Sequence, residues 1–193
     1  MAYYTGKNLL LLDELPSTNT YAAQLDDPTE GTVVQAWHQS AGRGQKGSTW
    51  EVLPGMNLTL SLIYRPSFLP LENVFQMSKI AALGIRSCLA TFLPQAEILI
   101  KWPNDILLNK KKIAGILLEN QLEGKRLKTS VLGMGINVNQ ASFPKHLSSK
   151  ATSLKLEFGS AFSLEEVRQS LFDQVEFWYE KLKTENHSIV DRS

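Results

Sequence analysis

The sequence predicts an α/β (α+β) domain, a mixed β-sheet backed by helices, on three observations. Short runs that are β-branched or alternate apolar with polar residues fall on both sides of one long amphipathic stretch. A second amphipathic stretch comes near the end of the chain, so the element order is mixed, and neither all-α nor strictly alternating. There is no internal repeat and no low-complexity linker in the 193 residues, which suffice for one core. Residues 1–193 are therefore expected to form a single domain.

Taken in order, Asn8 to Leu15 (NLLLLDEL) reads as a buried strand ended by Pro16. STNTYAAQL then starts a helix, with Ser17 or Thr18 as N-cap. Thr32 to Gln39 and Met56 to Pro66 read as strands. Val74, Met77, Ala81, Ile85, Cys88, Leu89 and Phe92 recur at helical spacing, and Pro94 ends that helix. AEILIKW is a strand stopped by Pro103, and DILLNKKKIAGILLENQ a hairpin turning at Asn109 to Lys112. KTSVLGMGINVNQ is another strand, with glycines where something must come close to the backbone. Ser163 to Glu166 (SLEE) matches a capping box, and its helix should bury Val167, Leu171, Val175, Trp178 and Leu182.

Composition narrows the function. Net charge is +1, so no bulk field draws the chain to nucleic acid or anionic membrane, and any basic site must be a local cluster. The single cysteine, Cys88, excludes an internal disulfide framework and a multi-cysteine zinc site, and fits a reducing, cytoplasmic setting. The first residues lack the apolar core and cleavage site of a signal peptide, and no apolar run approaches bilayer-spanning length.

Four segments carry candidate chemistry. HQSAGRGQKGSTW, His38 to Trp50, has three glycines and two cations but no large apolar side chain between its first residue and its last. Gly42, Gly44 and Gly47 permit backbone open to few other residues, and Arg43 and Lys46 put charge beside exposed N–H groups. That suits a phosphate, although it also describes an ordinary solvated loop. It is neither a Walker A loop nor GxGxxG opening a helix. Trp50 is either a core anchor or a flat wall for an adenine. In IKWPNDILLNKKKIAG, Asn104 and Asp105 project from a proline corner, as an Asx-turn or as ligand groups, and Lys110, Lys111 and Lys112 are a hairpin tip or an anion site. GMGINVN is a bulged strand or a nucleotide-facing edge with Asn137. PSTNTY is a helix cap or a pocket in which Ser17, Thr18 and Asn19 bind a neutral polar group.

In this order and spacing, STN, GRGQKGSTW, KWPND…KKKIAGILLE and GMGINVN resemble the catalytic domain of biotin protein ligases over about residues 8 to 140. KWPND followed by K-x-A-G is the specific part. The resemblance implies a fold related to class II aminoacyl-tRNA synthetases and the activation of biotin by ATP to biotinyl-5′-AMP and pyrophosphate. Transfer then follows to a lysine of a biotin carboxyl carrier domain, that of acetyl-CoA carboxylase or another biotin-dependent enzyme. By motif, it implies that Ser17, Thr18, Asn19 and Gln39 meet biotin's ring end. Arg43 with Gly42 and Gly44 would close over the carboxylate and α-phosphate, and Gln45 belongs to the same nucleotide loop. Trp50 would stack on adenine. Lys112, beside Gly115, would bridge carboxylate and phosphate, and Asn104 and Asn137 would face the nucleotide. Asp105 would help hold magnesium or orient the incoming lysine. Bulk chemistry agrees, since two anions must react and fixed cations cancel their repulsion. The water-sensitive anhydride also calls for a loop that closes over it, which on this reading packs only against ligand.

The chain departs from the family pattern at Gln45 and Ser48, where arginine is common. The usual small C-terminal β-barrel module and a DNA-binding helix-turn-helix are not expected, so neither is a DNA partner. A homodimer is compatible with the resemblance. The rival readings are a lipoate or octanoyl ligase or transferase, against which stand the lack of a Gly-Gly-Gly loop and the position of Cys88 on an apolar helix face, and a module that binds biotinyl-AMP without transferring it.

Overall fold

The structure, a computed structural model, describes residues 4–184 of the chain. Seven strands form one sheet: β1 (Leu9–Leu15), β2 (Thr32–Gln39), β3 (Leu58–Tyr64), β4 (Ile98–Lys101), β5 (Asp105–Leu108), β6 (Lys111–Glu123) and β7 (Arg126–Ile136). Their spatial order is β1-β2-β3-β7-β6-β5-β4. Only β1 and β2 run parallel; every other neighbouring pair is antiparallel. The fold is thus α+β with a mixed sheet.

The two faces of the sheet differ in chemistry, and period-two alternation creates the difference. Leu58, Leu60 and Leu62 of β3 and Leu132, Met134 and Ile136 of β7 point into the main core. There they meet α2 (Gln76–Phe92) and α4 (Leu164–Thr184) through Met77, Ile80, Ile85, Leu89, Leu171 and Val175. On the opposite face the same strands present Thr59, Ser61, Gly133 and Gly135. One end of that face is covered by α1 (Thr18–Gln24), whose Ala22 packs with Val34, Ile63 and Val131. The remainder of it is where the site lies.

Three expectations change. Asn8 to Leu15 is not a buried strand: β1 is the sheet edge, with a neighbour on one side only, and Leu11 is 48% exposed. In α4, Tyr179 takes the buried position that Trp178 was expected to hold. Tyr179 stacks on Tyr64 at 4.1 Å between ring centres, while Trp178 lies half-buried beside it on the helix. The hairpin turn is narrower than Asn109 to Lys112. Asn109 and Lys110, both at positive φ, make a two-residue turn, and Lys111 and Lys112 already belong to β6. The residues 185–193 lie outside the described part of the chain.

Cys88 sits in the core on α2, its Sγ donating to the Val167 carbonyl at 3.5 Å. Burial pushes its thiol up to about 12. At pH 8 only about one thiol in ten thousand is then ionised. Native protein should show no titratable thiol with Ellman's reagent over minutes and one thiol after denaturation. Fast native labelling would show that the α2–α4 packing opens readily.

Candidate active site

The polar face of the sheet is built in rows across β3, β7 and β6. Ser61 pairs with Gly133 and Gly133 with Leu117; Thr59 pairs with Gly135 and Gly135 with Gly115. Directly opposed residues share a face, so the glycines leave a trough down the middle of the sheet. Each is needed for close approach. A methyl at Gly133 would lie 2.2 Å from Asn19 Oδ1, and one at Gly135 would lie 2.2–2.5 Å from three atoms of the Trp50 indole.

One end of the trough is floored by α1. Ser17 caps the helix, accepting from the Thr20 N–H at 3.5 Å, and Gln39 Oε1 accepts from the Thr18 N–H at 2.7 Å. Ser61 Oγ lies 2.8 Å from Thr18 Oγ1 and donates to Asn19 Oδ1 at 2.6 Å. Asn19 Nδ2 donates to the Leu117 carbonyl at 3.1 Å and to Glu119 at 2.9 Å. Ser17 is therefore a helix cap and a cavity residue at once. The cavity is lined by Ser17, Thr18, Asn19, Gln39, Trp50 and Lys112, together with Arg43, Gly44, Gln45, Asn104 and Gly115.

The glycine loop does not lack packing, as its composition suggested. It folds back as a short hairpin, with the Gly44 N–H donating to the Ser48 carbonyl at 2.7 Å and the Trp50 N–H to the Gly42 carbonyl at 3.0 Å. Gly42 allows the two arms of this hairpin to approach closely, since a methyl there would lie 2.3 Å from the Trp50 carbonyl oxygen. Gly42 is buried under the loop and lines its outer side. The indole of Trp50 lies in the trough over Gly115 and Gly135, so the loop packs against the sheet. Lys112 Nζ sits 5.6 Å from the ring centre, and the buried indole N–H finds no partner. With the indole seated, the first cavity keeps only about 50 Å³ of open volume, room for a few waters.

A second cavity of about 500 Å³ adjoins the first, sharing Thr49, Trp50 and Lys112 with it. Asp105, Asn137, Lys101, Lys110 and Lys150 line it, with Phe143 and Leu147 as its apolar wall. Its size is that of a small-molecule site. Lys112 reaches this junction for a structural reason. Between β5 and β6 the register slips, Leu107 facing Lys112 while Ile106 faces Ala114, which leaves Ile113 as a bulge. β7 ends opposite Ala114, and the strand at Lys112 is instead held by residues 150–152: the Lys112 N–H donates to the Lys150 carbonyl at 2.7 Å, and the Thr152 N–H to the Lys112 carbonyl at 2.9 Å. Lys112 Nζ pairs with Asp105 Oδ1 at 2.6 Å, and Lys101 approaches the other oxygen at 3.9 Å. Lys111 is exposed and takes no part in either cavity.

The two asparagines serve the frame more than expected. Asn104 Nδ2 donates to the Ile116 carbonyl at 3.3 Å, and buried Asn137 donates to the Thr152 carbonyl at 3.0 Å. Asn104 lines the first cavity and Asn137 the second. Asp105 is the acidic residue at the junction, both its oxygens face lysines, and no cluster of three His, Cys, Asp or Glu able to hold a metal occurs among the described residues. Of the residues not singled out in the sequence, Thr59 and Ser61 were signalled by polar positions alternating through the apolar run of β3. Lys101 and Glu119 stand in the KWPND and KKKIAGILLE segments with no role read for them, and Lys150 carries no signal, because a loop 38 residues beyond Lys112 brings it in.

The sequence pattern of the biotin/lipoate A/B protein ligase family matches residues 11–137. The bifunctional ligase/repressor BirA of Bacillus spizizenii is 41% identical over 159 residues, 80% of this chain and 48% of that protein. The biotin–[acetyl-CoA-carboxylase] ligase of Paracoccus denitrificans is 36% identical over 179 residues, 90% of this chain and 74% of that protein. Biotin protein ligase from Aquifex aeolicus, solved in complex with biotin and ATP, superposes with a TM-score of 0.81 at 29% identity, over 93% of this chain and 73% of that one. The chain spans about half the length of the BirA relatives it matches.

Proposed function

The chain belongs to the biotin/lipoate A/B protein ligase family, and from that premise we propose that it activates biotin with ATP and passes it to a lysine of a biotin carboxyl carrier domain. The observation that carries this reading is the junction at Lys112, one cation lining both a cavity of hydroxyls and amides and a neighbouring cavity rich in lysines. Biotin, whose ring end is neutral and polar, suits the first, where Ser17, Thr18, Asn19 and Gln39 offer hydroxyls and amides. ATP suits the second, where Lys101, Lys110 and Lys150 oppose its triphosphate and Phe143 and Leu147 offer an apolar wall. Trp50 then stands between the two substrates. Arg43, Gly44 and Gln45 line the first cavity, and of the loop only Thr49 and Trp50 reach both.

In the first step a carboxylate oxygen of biotin attacks the α-phosphorus, the bond to the bridging oxygen breaks, and pyrophosphate leaves. Lys112 lowers the repulsion between these anions at the position where charge develops. Asp105, by holding Lys112 Nζ, keeps the cation aimed rather than solvated. In the second step the carrier lysine's amine attacks the acyl carbon and AMP departs. We read the described residues as one catalytic domain, the seven strands belonging to a single sheet. Among them, no helix is long and apolar enough to cross a membrane.

Biotin-dependent exchange of pyrophosphate into ATP tests the reading. Exchange with biotin and none with lipoate supports it; exchange with lipoate alone makes the chain a lipoate enzyme. Exchange without labelling of any carrier domain makes it a biotinyl-AMP-forming module. A thiol-relay transferase finds no support in buried, un-ionised Cys88.

Trp50 lies across the first cavity, which has about 50 Å³ of open volume, and a bicyclic ligand is expected to enter as the loop lifts and to be held as it closes again. Trypsin should therefore nick the exposed Lys46 in free protein and do so more slowly with biotin and ATP. Equal rates at saturating ligand would count against a closing loop.

A further inference from the structure

Outside the residues already given roles, one carboxylate ties the glycine loop to the floor of the first cavity. Glu119 Oε1 accepts from Arg43 Nη2 at 2.6 Å, and Oε2 accepts from Arg43 Nη1 at 3.4 Å and from Asn19 Nδ2 at 2.9 Å. Arg43 Nη1 also donates to Thr20 Oγ1 at 3.2 Å. The other end of the loop is tethered to the same helix, since Gln39 accepts from the Thr18 N–H just before the loop begins. A closed ring of contacts results: Gln39, Thr18, Ser61, Asn19, Glu119, Arg43 and back along the loop to Gln39.

We propose that Glu119 is a positioning residue for the glycine loop, a latch on the fixed pocket floor that holds Arg43 beside Asn19 when the loop is closed. The proposal rests on the biotin-activation reading for what the loop closes over. Three observations support it. Glu119 faces the trough because it lies opposite Val131, in the row that α1 covers, two residues beyond Leu117. Arg43 and Glu119 side chains are 49% and 32% exposed, and so open a pair adds little to stability, which leaves geometry as its use. Both terminal nitrogens of Arg43 are engaged, Nη1 by Thr20 and Glu119 and Nη2 by Glu119, so the guanidinium is fixed in orientation at the Asn19 end of the first cavity.

The test compares Glu119→Ala, Glu119→Gln and Arg43→Ala with the double variant, using Glu123→Gln on the exposed end of the same strand as a control for charge removal. In ligand-free protein, Glu119→Ala should raise the rate of tryptic nicking at Lys46 about fivefold, with the melting temperature little changed. In pyrophosphate exchange it should raise the KM for biotin about tenfold and leave kcat within about twofold. Glu119→Gln, which can still accept from Asn19, should match alanine in nicking and fall between alanine and wild type in KM. The double variant should nick no faster than the faster single variant. Wild-type nicking in both Glu119 variants, or additive effects in the double, would overturn the assignment. If wild-type protein shows no biotin-dependent exchange, the functional reading fails instead, and the ligand-free nicking rates still decide whether Glu119 holds the loop.

Discussion

Lys112→Ala is expected to slow biotin adenylation about a hundredfold while leaving biotin binding within a few-fold. The size follows from losing one charged contact to the charge that develops in the transition state, about 3 kcal/mol. The binding effect is small because the cavity's Ser17, Thr18, Asn19 and Gln39 are untouched. The structure also predicts how the neighbouring lysines differ, which composition alone does not. Lys111 points away from both cavities, so Lys111→Ala should leave exchange unchanged. Lys110 lines only the second cavity, so Lys110→Ala should act on the KM for ATP more than on kcat. A loss in Lys111→Ala equal to that in Lys112→Ala would mean that the register at the Ile113 bulge is wrong. Lys112→Ala also leaves Asp105 facing only Lys101 at 3.9 Å, so the Lys112→Ala, Asp105→Asn pair should be less than additive.

Gly133→Ala is expected to lower stability by about 2–4 kcal/mol, from overpacking and from separating buried amide and hydroxyl partners. For a chain of this size that is a fall in melting temperature of roughly 5–15 °C. Backbone conformation is not the cause, as Gly133 does not occupy the left-handed region. The cause is contact: the new methyl would meet Asn19 Oδ1 at 2.2 Å and Cγ at 2.9 Å. Asn19 cannot simply retreat, because Ser61, the Leu117 carbonyl and Glu119 hold it on three sides. Biotin affinity should fall along with stability, since the same asparagine floors the cavity. Asn19→Ala gives up those bonds beforehand, so adding Gly133→Ala to it should cost little more. Wild-type melting in Gly133→Ala, or full additivity with Asn19→Ala, would contradict the described packing.

Much of the fold was legible because local patterns and tertiary demands coincide. β2 begins and ends where its β-branched alternation does, and the periodic stretch around Met77 to Leu89 is α2. Where the reading failed, the missing information was non-local. Asn8 to Leu15 is apolar enough for a central strand, and only the strand order makes it an edge. Tyr179 displaces Trp178 because its ring meets Tyr64, a contact between β3 and α4. For the loop, three glycines and two cations pointed to an anion-binding lid but could not reveal that Gly115 and Gly135, opposed on two strands, make a slot for its tryptophan.

By itself, the sequence determined the segments that carry the site and the chemistry available to it: hydroxyls and amides in STN, backbone freedom and cations in GRGQKG, and a lysine before IAG. These follow from residue type and spacing within a few turns of chain, where local physics is sufficient. Tertiary structure alone decided which lysine stands between the cavities, that Asp105 holds it, that Glu119 joins the loop to the pocket floor, and that Trp50 lies in the trough of the sheet. Each of these depends on strand pairing or on a loop from far along the chain. One residue of register turns a side chain to the other face of a sheet, and the pattern within any single strand is the same in either register.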